Sequence, residues 1–212
     1  MATSLPTLPA EYQEAVRLID AAHAQDPRPA DKGRCAEDTP YELYYAQELT
    51  RWLALRSPDA TPVLQVACRA QHFKRWEIPR DAYPMTRPGY LTWRAKLKSQ
   101  AAAQVAELLA SVEVGGGIPD ADRSRVAALI RKENLASDPE AQALEDVACL
   151  FFLDGQLDDF EQRPDVDEDK MVNILRKSWG KMSSKGREIA LGMELSDRGK
   201  TLIGKALAAP DE

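Results

Sequence analysis

Cysteine is scarce in this chain. Cys35, Cys68 and Cys149 are an odd number, and no Cys-x-x-Cys spacing occurs. That excludes a disulfide framework and a zinc finger, and leaves reduced thiols in a cytoplasmic protein as the expectation. Long apolar runs are absent too. The longest, "VACLFFL" at 147–153, is too short to span a bilayer. The opening "MATSLPTLPAEYQ" has neither a basic n-region nor an apolar h-region, which reads as no signal peptide. A soluble protein with no membrane partner is expected. Strand-like alternation is nearly missing, and no internal repeat or low-complexity segment appears.

What is present is helical periodicity. Ala15, Leu18, Ile19 and Ala22 recur at helical spacing over 10–24. Thr39-Pro40 predicts a capped start for a helix over 40–56, with Leu43, Ala46, Leu49, Trp52 and Leu53 on one side. A very apolar helix is predicted over 60–76. An irregular connection with three prolines follows at 77–88. Further helices are predicted over 88–111, 119–134, from Asp138-Pro139-Glu140 to about 160, 166–182, 184–192 and 196–208. The expectation is one all-α domain over 1–212, a bundle of eight or nine helices. Residues 1–9 and 209–212 are expected to be flexible ends, and 25–39 a polar loop. The acidic "DVDEDK" at 165–170 lacks the glycine and final glutamate of a calcium loop, so it reads as a charged helix start.

One short motif points elsewhere. "GKMSSKG" at 180–186 is similar to the mobile lysine loop with which class I aminoacyl-tRNA synthetases hold ATP phosphates. That loop works beside a parallel sheet and an upstream His-x-Gly-His. The only histidines, His23 in "AAHAQ" and His72 in "AQHFK", fit no such motif, and the strand–helix alternation is missing. The stretch therefore reads as a helix–helix junction. Lys181 closes one helix, and Ser183 or Ser184 caps the next. A class I synthetase is not expected.

Charge is unevenly spread. The formal net charge is −6, yet 72–98 holds seven basic and two acidic residues, a local +5 that leaves the remainder at −11. An acidic body with one basic patch is not a general nucleic-acid binder. The patch interleaves Lys74, Arg75, Arg80, Arg87 and Arg94 with Tyr83 and Tyr90, all candidate contacts for a small anionic ligand. The same side chains could instead brace the long connection by stacking and backbone contacts. Glu145 and Asp146 sit one turn before the most apolar run, so one of them should face inward. It would then need a metal or an ion-pair partner. His23, late in the first helix, reads as a surface residue.

The strings "RAQHFKRWEIPRDAYPMTRPGYLTWR", "DPEAQALEDVACL" and "DEDKMVNILRKSWGKMS" resemble the family catalogued as domain of unknown function 4202, over residues 10–205. Members are often labelled glutamyl-tRNA synthetase-like. The order of features is also similar, more distantly, to the HD phosphohydrolase superfamily. That resemblance implies His72 and Asp146 as metal ligands, with Glu42 where the first histidine of that pattern would stand and Glu145 as the catalytic carboxylate. Phe73 occupies the place of the paired aspartate, and no histidine follows His72. With one imidazole and carboxylates the implied ion is Mg²⁺ or Mn²⁺ rather than zinc. Three readings follow. One is a metal-dependent phosphohydrolase acting on a small phosphorylated or nucleotide substrate. A second is a relative of that fold that binds an anion without turnover. A third, less favoured, is a tRNA-related binding module.

Overall fold

The structure, a computed structural model, describes residues 4–30, 39–157 and 166–208. Cys35, most of the predicted polar loop, the end segment 209–212 and the predicted continuation of the sixth helix past residue 157 lie outside the described residues. Within them the chain is all-α. There are nine α-helices and no strand, only a single antiparallel bridge between Pro29 and Pro40. The contacts divide the chain into two compact units, 1–141 and 142–212.

In the first unit, α1 (Ala10–His23), α2 (Tyr41–Arg56) and α3 (Pro62–Arg69) pack against one another. Leu49, Leu53, Val66 and Cys68 are fully buried there. The guanidinium of Arg69 ties the three helices together. It donates to both carboxylate oxygens of Asp20, at 2.6 and 2.7 Å, and to Thr50. Thr61 caps α3 by accepting from the Leu64 amide, and Pro62 occupies the first turn.

Sequence periodicity carries α3 on to residue 76, but the helix ends at Arg69. His72 and Lys74 adopt left-handed backbone, φ 61° and 48°, which no α-helix continues through. Two short 3-10 turns, Arg75–Glu77 and Arg80–Ala82, then lead to α4 (Arg87–Ala110). Thr86 caps α4, and Gly89 lies so close to Pro84 that a Cβ would sit 2.1 Å from its carbonyl oxygen. Helix α4 packs on α1 and α5 (Asp120–Arg131). Left-handed Lys132 and Asn134 follow α5. Asp138 starts α6 (Pro139–Phe151) by accepting from the Glu140 and Ala141 amides while Arg125 binds its carboxylate.

The Thr39 cap expected for α2 is replaced by a more distant one. Pro40 occupies the cap position with no side-chain bond, and Asp26 accepts the Glu42 amide proton at 3.1 Å. Backbone bonds from Ala30 to Thr39 and from Tyr41 to Arg28 hold the 26–30 turn against the start of α2.

The second unit takes in the rest of α6, a π-helical turn at Phe152–Gln156, α7 (Glu168–Lys181), α8 (Ser184–Leu191) and α9 (Asp197–Leu207). Helix α9 packs on α7. Residues 180–186 are the junction of α7 and α8, as the sequence reading has it. Ser183 caps α8 through the Gly186 amide.

Candidate functional site

A group of buried and half-buried polar side chains in the first unit surrounds Glu42. This residue enters at the second position of α2 and is completely buried. Its Oε1 accepts from Arg28 at 2.8 Å, and Arg28 is also paired with Asp26 at 2.8 Å. Its Oε2 accepts no hydrogen bond. Burial pushes the carboxyl up to about 7 against the opposing pull of Arg28.

His72 faces Glu42. The left-handed turn after α3 swings the imidazole under Tyr45, where the rings stack at 4.2 Å and 14°. Its Nδ1 is buried and lies 3.6 Å from Glu42 Oε2, too far for a hydrogen bond. The side chain is 27% exposed, so the solvent-facing part is not the Nδ1 corner. Its Nε2 lies 2.9 Å from an Arg75 terminal nitrogen. Guanidinium only donates, so Nε2 must be the acceptor and the proton of the neutral ring sits on Nδ1. His72 is therefore uncharged. Burial first, then the charges of Arg75, Arg94 and Lys132, hold its pKa well below the usual histidine value.

Arg75 lies over the face of Trp93 at 4.8 Å, and Trp93 is fixed by a 2.9 Å bond from its indole to the Ile78 carbonyl. Burial and the neighbouring charge of Arg94 lower the pKa of Arg75. Arg94, half-buried on α4 one residue after Trp93, has no carboxylate within ion-pair distance among the described residues. Arg75 thus contacts the neutral imidazole directly, and the charge of Arg94 acts on both.

The other expected ligand contacts are arranged differently. Arg80 donates to the Tyr83 and Pro84 carbonyls, at 3.0 and 2.9 Å, and lies over Tyr90 and Trp93, so it braces the connection. Lys74 pairs with Glu77 at 3.8 Å. Arg87 is exposed at the start of α4, Tyr83 is half-buried, and Tyr90 is 43% exposed beside Trp93.

Of the carboxylates expected from α6, both lie in the second unit. Glu145 is 3.9 Å from Lys181. Asp146 holds the α7–α8 junction. Its Oδ1 accepts from the Ser183 amide at 2.7 Å and from Gln142, and its Oδ2 accepts the Ser183 hydroxyl. Gln142 also donates to the Lys181 carbonyl. Gly186 allows this closeness, since a Cβ there would sit 2.7 Å from the Asp146 carboxylate.

Glu42 and His72, expected as metal ligands with Asp146, are thus neighbours. In this arrangement the pair does not fit a metal ion. The Nε2 lone pair is taken by Arg75, Nδ1 carries a proton, and Oε1 is held by Arg28. Among the described residues no group of three His, Cys, Asp or Glu side chains is placed to hold one.

His23 is not at the surface. It is fully buried, and its Nε2 donates to the Arg69 carbonyl at 3.0 Å. Its ring meets Phe73 edge-on at 5.6 Å. Helical periodicity puts it near the Ile19 and Ala22 face, a signal the surface reading did not use. Asp26, Arg28 and Tyr45 were missed altogether. The first two sit in a stretch with no periodicity, and Tyr45 looks like any other core aromatic. Cys68 and Cys149 are buried, and burial pushes the Cys68 thiol up to about 12.

Concavities at Leu153–Trp179–Met182 and at Val112–Gly117–Arg123 involve none of the Glu42–His72 group. No helix among the described residues is long and apolar enough to cross a membrane. Comparison with curated proteins and with solved structures finds no match. The family described as Domain of unknown function (DUF4202) matches residues 13–203, nearly the whole chain. With its long basic connection, its Asp138-started helix and its Ser183 junction all inside that match, the chain belongs to the DUF4202 family.

Proposed function

We propose that the first unit binds a small anionic ligand, phosphorylated or carboxylate, at Arg75 and Arg94, and does so without a metal ion. The observation that supports this reading is the charge on Arg94. It has no carboxylate partner among the described residues and stands close enough to Arg75 to depress its pKa. Two like charges held together, one of them largely out of water, cost free energy that an anion between them offsets. The neutral His72 adds no third charge, and Tyr45 and Trp93 give the cluster a rigid floor.

Calorimetric titration with inorganic phosphate and with nucleoside monophosphates tests the reading. Arg94→Ala should weaken binding by about tenfold or more, the usual scale for a charge-assisted contact. Arg87→Ala, at an exposed position of the same helix, should leave it within about twofold. Equal loss in both variants would reduce the site to diffuse surface charge.

The metal-dependent hydrolase is the second reading, favoured by the unpartnered Glu42 Oε2. It requires His72 to give up Arg75 or its Nδ1 proton. One equivalent of Mg²⁺ or Mn²⁺ in the wild type, lost in His72→Ala, would put it in first place.

A further inference from the structure

The hydrogen-bonding pattern around His72 specifies more than charge. Arg75 can only donate, so the lone pair of Nε2 faces the guanidinium side of the ring. On the opposite side Nδ1–H faces Glu42 Oε2 at 3.6 Å, and that oxygen has no other partner. The other carboxylate oxygen is fixed by Arg28. Glu42 therefore favours one tautomer, with the proton inward and the lone pair outward. Tyr45, stacked on the ring, opposes its rotation.

The site assigned above to an anion thus presents two kinds of group. Arg75 and Arg94 are donors for oxyanion oxygens, and His72 Nε2 is an acceptor. When an anion draws Arg75 towards itself, the acceptor is left without a donor. A buried or half-buried acceptor facing an anion's oxygen is repulsive and loses a hydrogen bond. A ligand that brings its own hydroxyl satisfies it. Hydrogen phosphate carries such a hydroxyl, and so does a phosphate ester or acid with a free hydroxyl beside the charged group. Sulfate, of the same shape and charge, carries none.

Resting on the anion-site reading, we infer that His72 Nε2, positioned by Glu42, accepts a hydrogen bond from the ligand's own hydroxyl and so selects hydroxyl-bearing oxyanions over those without one. Glu42 is here a positioning residue. Replacing it with glutamine keeps the volume and leaves an oxygen for Arg28. It then turns an amide NH₂ towards Nδ1, which must accept. The proton moves to Nε2, and the acceptor becomes a donor.

Isothermal titration of the full chain with inorganic phosphate and with inorganic sulfate, at one ionic strength and at a pH above about 7, where Glu42 is ionised and Oε2 is an acceptor, separates the possibilities. Phosphate should bind about tenfold or more tightly than sulfate, the penalty for facing an acceptor with an acceptor. In Glu42→Gln the preference should vanish or reverse while sulfate binding persists. His72→Asn provides a second route. Asparagine tolerates the left-handed backbone, and its amide is too short to reach the position of Nε2. It too should abolish the preference. Equal phosphate and sulfate affinities in the wild type would overturn the inference and leave the anion site standing. A preference unchanged in a folded Glu42→Gln or His72→Asn protein would also overturn it. Binding of neither ion would remove the anion site and the inference together.

Discussion

A carboxyl group fully out of water, such as that of Glu42, is harder to ionise than one in an unfolded chain. Its ordinary value of 4.5 rises to about 7. The folded state therefore holds the proton more tightly. The sign follows by linkage. Glu42's contribution to stability is fully present below its unfolded pKa, and it is lost as pH rises through the folded value. His72 acts in the opposite direction. Its pKa falls on folding, so its contribution is present above the usual histidine value and is lost as pH falls. Comparing wild type with Glu42→Gln isolates the first effect. Denaturant titrations at several pH values should show the wild type losing stability relative to the variant between the ordinary carboxylate range and about 7. A flat difference would mean that Arg28 keeps Glu42 charged throughout.

Helix junctions and ends show how elements are joined. The α7–α8 junction depends on a glycine close to a buried acid. A Cβ at Gly186 would meet the Asp146 carboxylate at 2.7 Å, and that side chain is held in place by its bonds to Ser183 and Gln142. Gly186→Ala should cost about 1–3 kcal/mol of unfolding free energy, the range for forcing atoms into a filled site. Gly180, exposed in the last turn of α7, has nothing within 4 Å of its would-be Cβ. Gly180→Ala should stabilise by about 0.5–1 kcal/mol through helix propensity and unfolded-state entropy. Chemical denaturation of both variants checks the pair, and a loss at both positions would contradict the packing described here. The "GKMSSKG" stretch is thus accounted for by cap chemistry: Ser183 as cap, Asp146 as its support, Gly186 as the space between them.

Over the whole molecule, charge separation governs what can bind. On the anion-site reading, a net −6 chain with one +5 segment is expected to attract small anions locally and to repel extended polyanions. Phosphate at about a hundred times its Kd should raise stability by about 2.7 kcal/mol, because it binds only the folded form. The rise should shrink as neutral salt is added, since part of the site is exposed to screening. Thermal melts with phosphate at two ionic strengths test this. A melting temperature indifferent to phosphate would count against the anion site.

Much of the fold was legible in the sequence because helix boundaries here are written in local chemistry. Thr61-Pro62, Thr86, Asp138-Pro139 and Ser183 start their helices where the reading placed a start, to within two residues. The all-α class follows from periodicity, and the basic segment was visible as a run of residue types. Periodicity failed at the end of α3, where His72 and Lys74 leave the helical region for tertiary reasons that local propensity does not encode. It also failed at the 26–30 turn, whose Asp26 and Arg28 act on α2 across a loop. The sequence by itself determined where the helices lie and that one stretch would be cationic, because caps, prolines and charges act over a few residues. Only the tertiary structure decided that Glu42, His72 and Arg75 share one hydrogen-bonded group, that His23 is buried, and that Asp146 supports a helix cap. Those roles depend on which groups lose water together, and burial is a property of packed elements rather than of any segment alone.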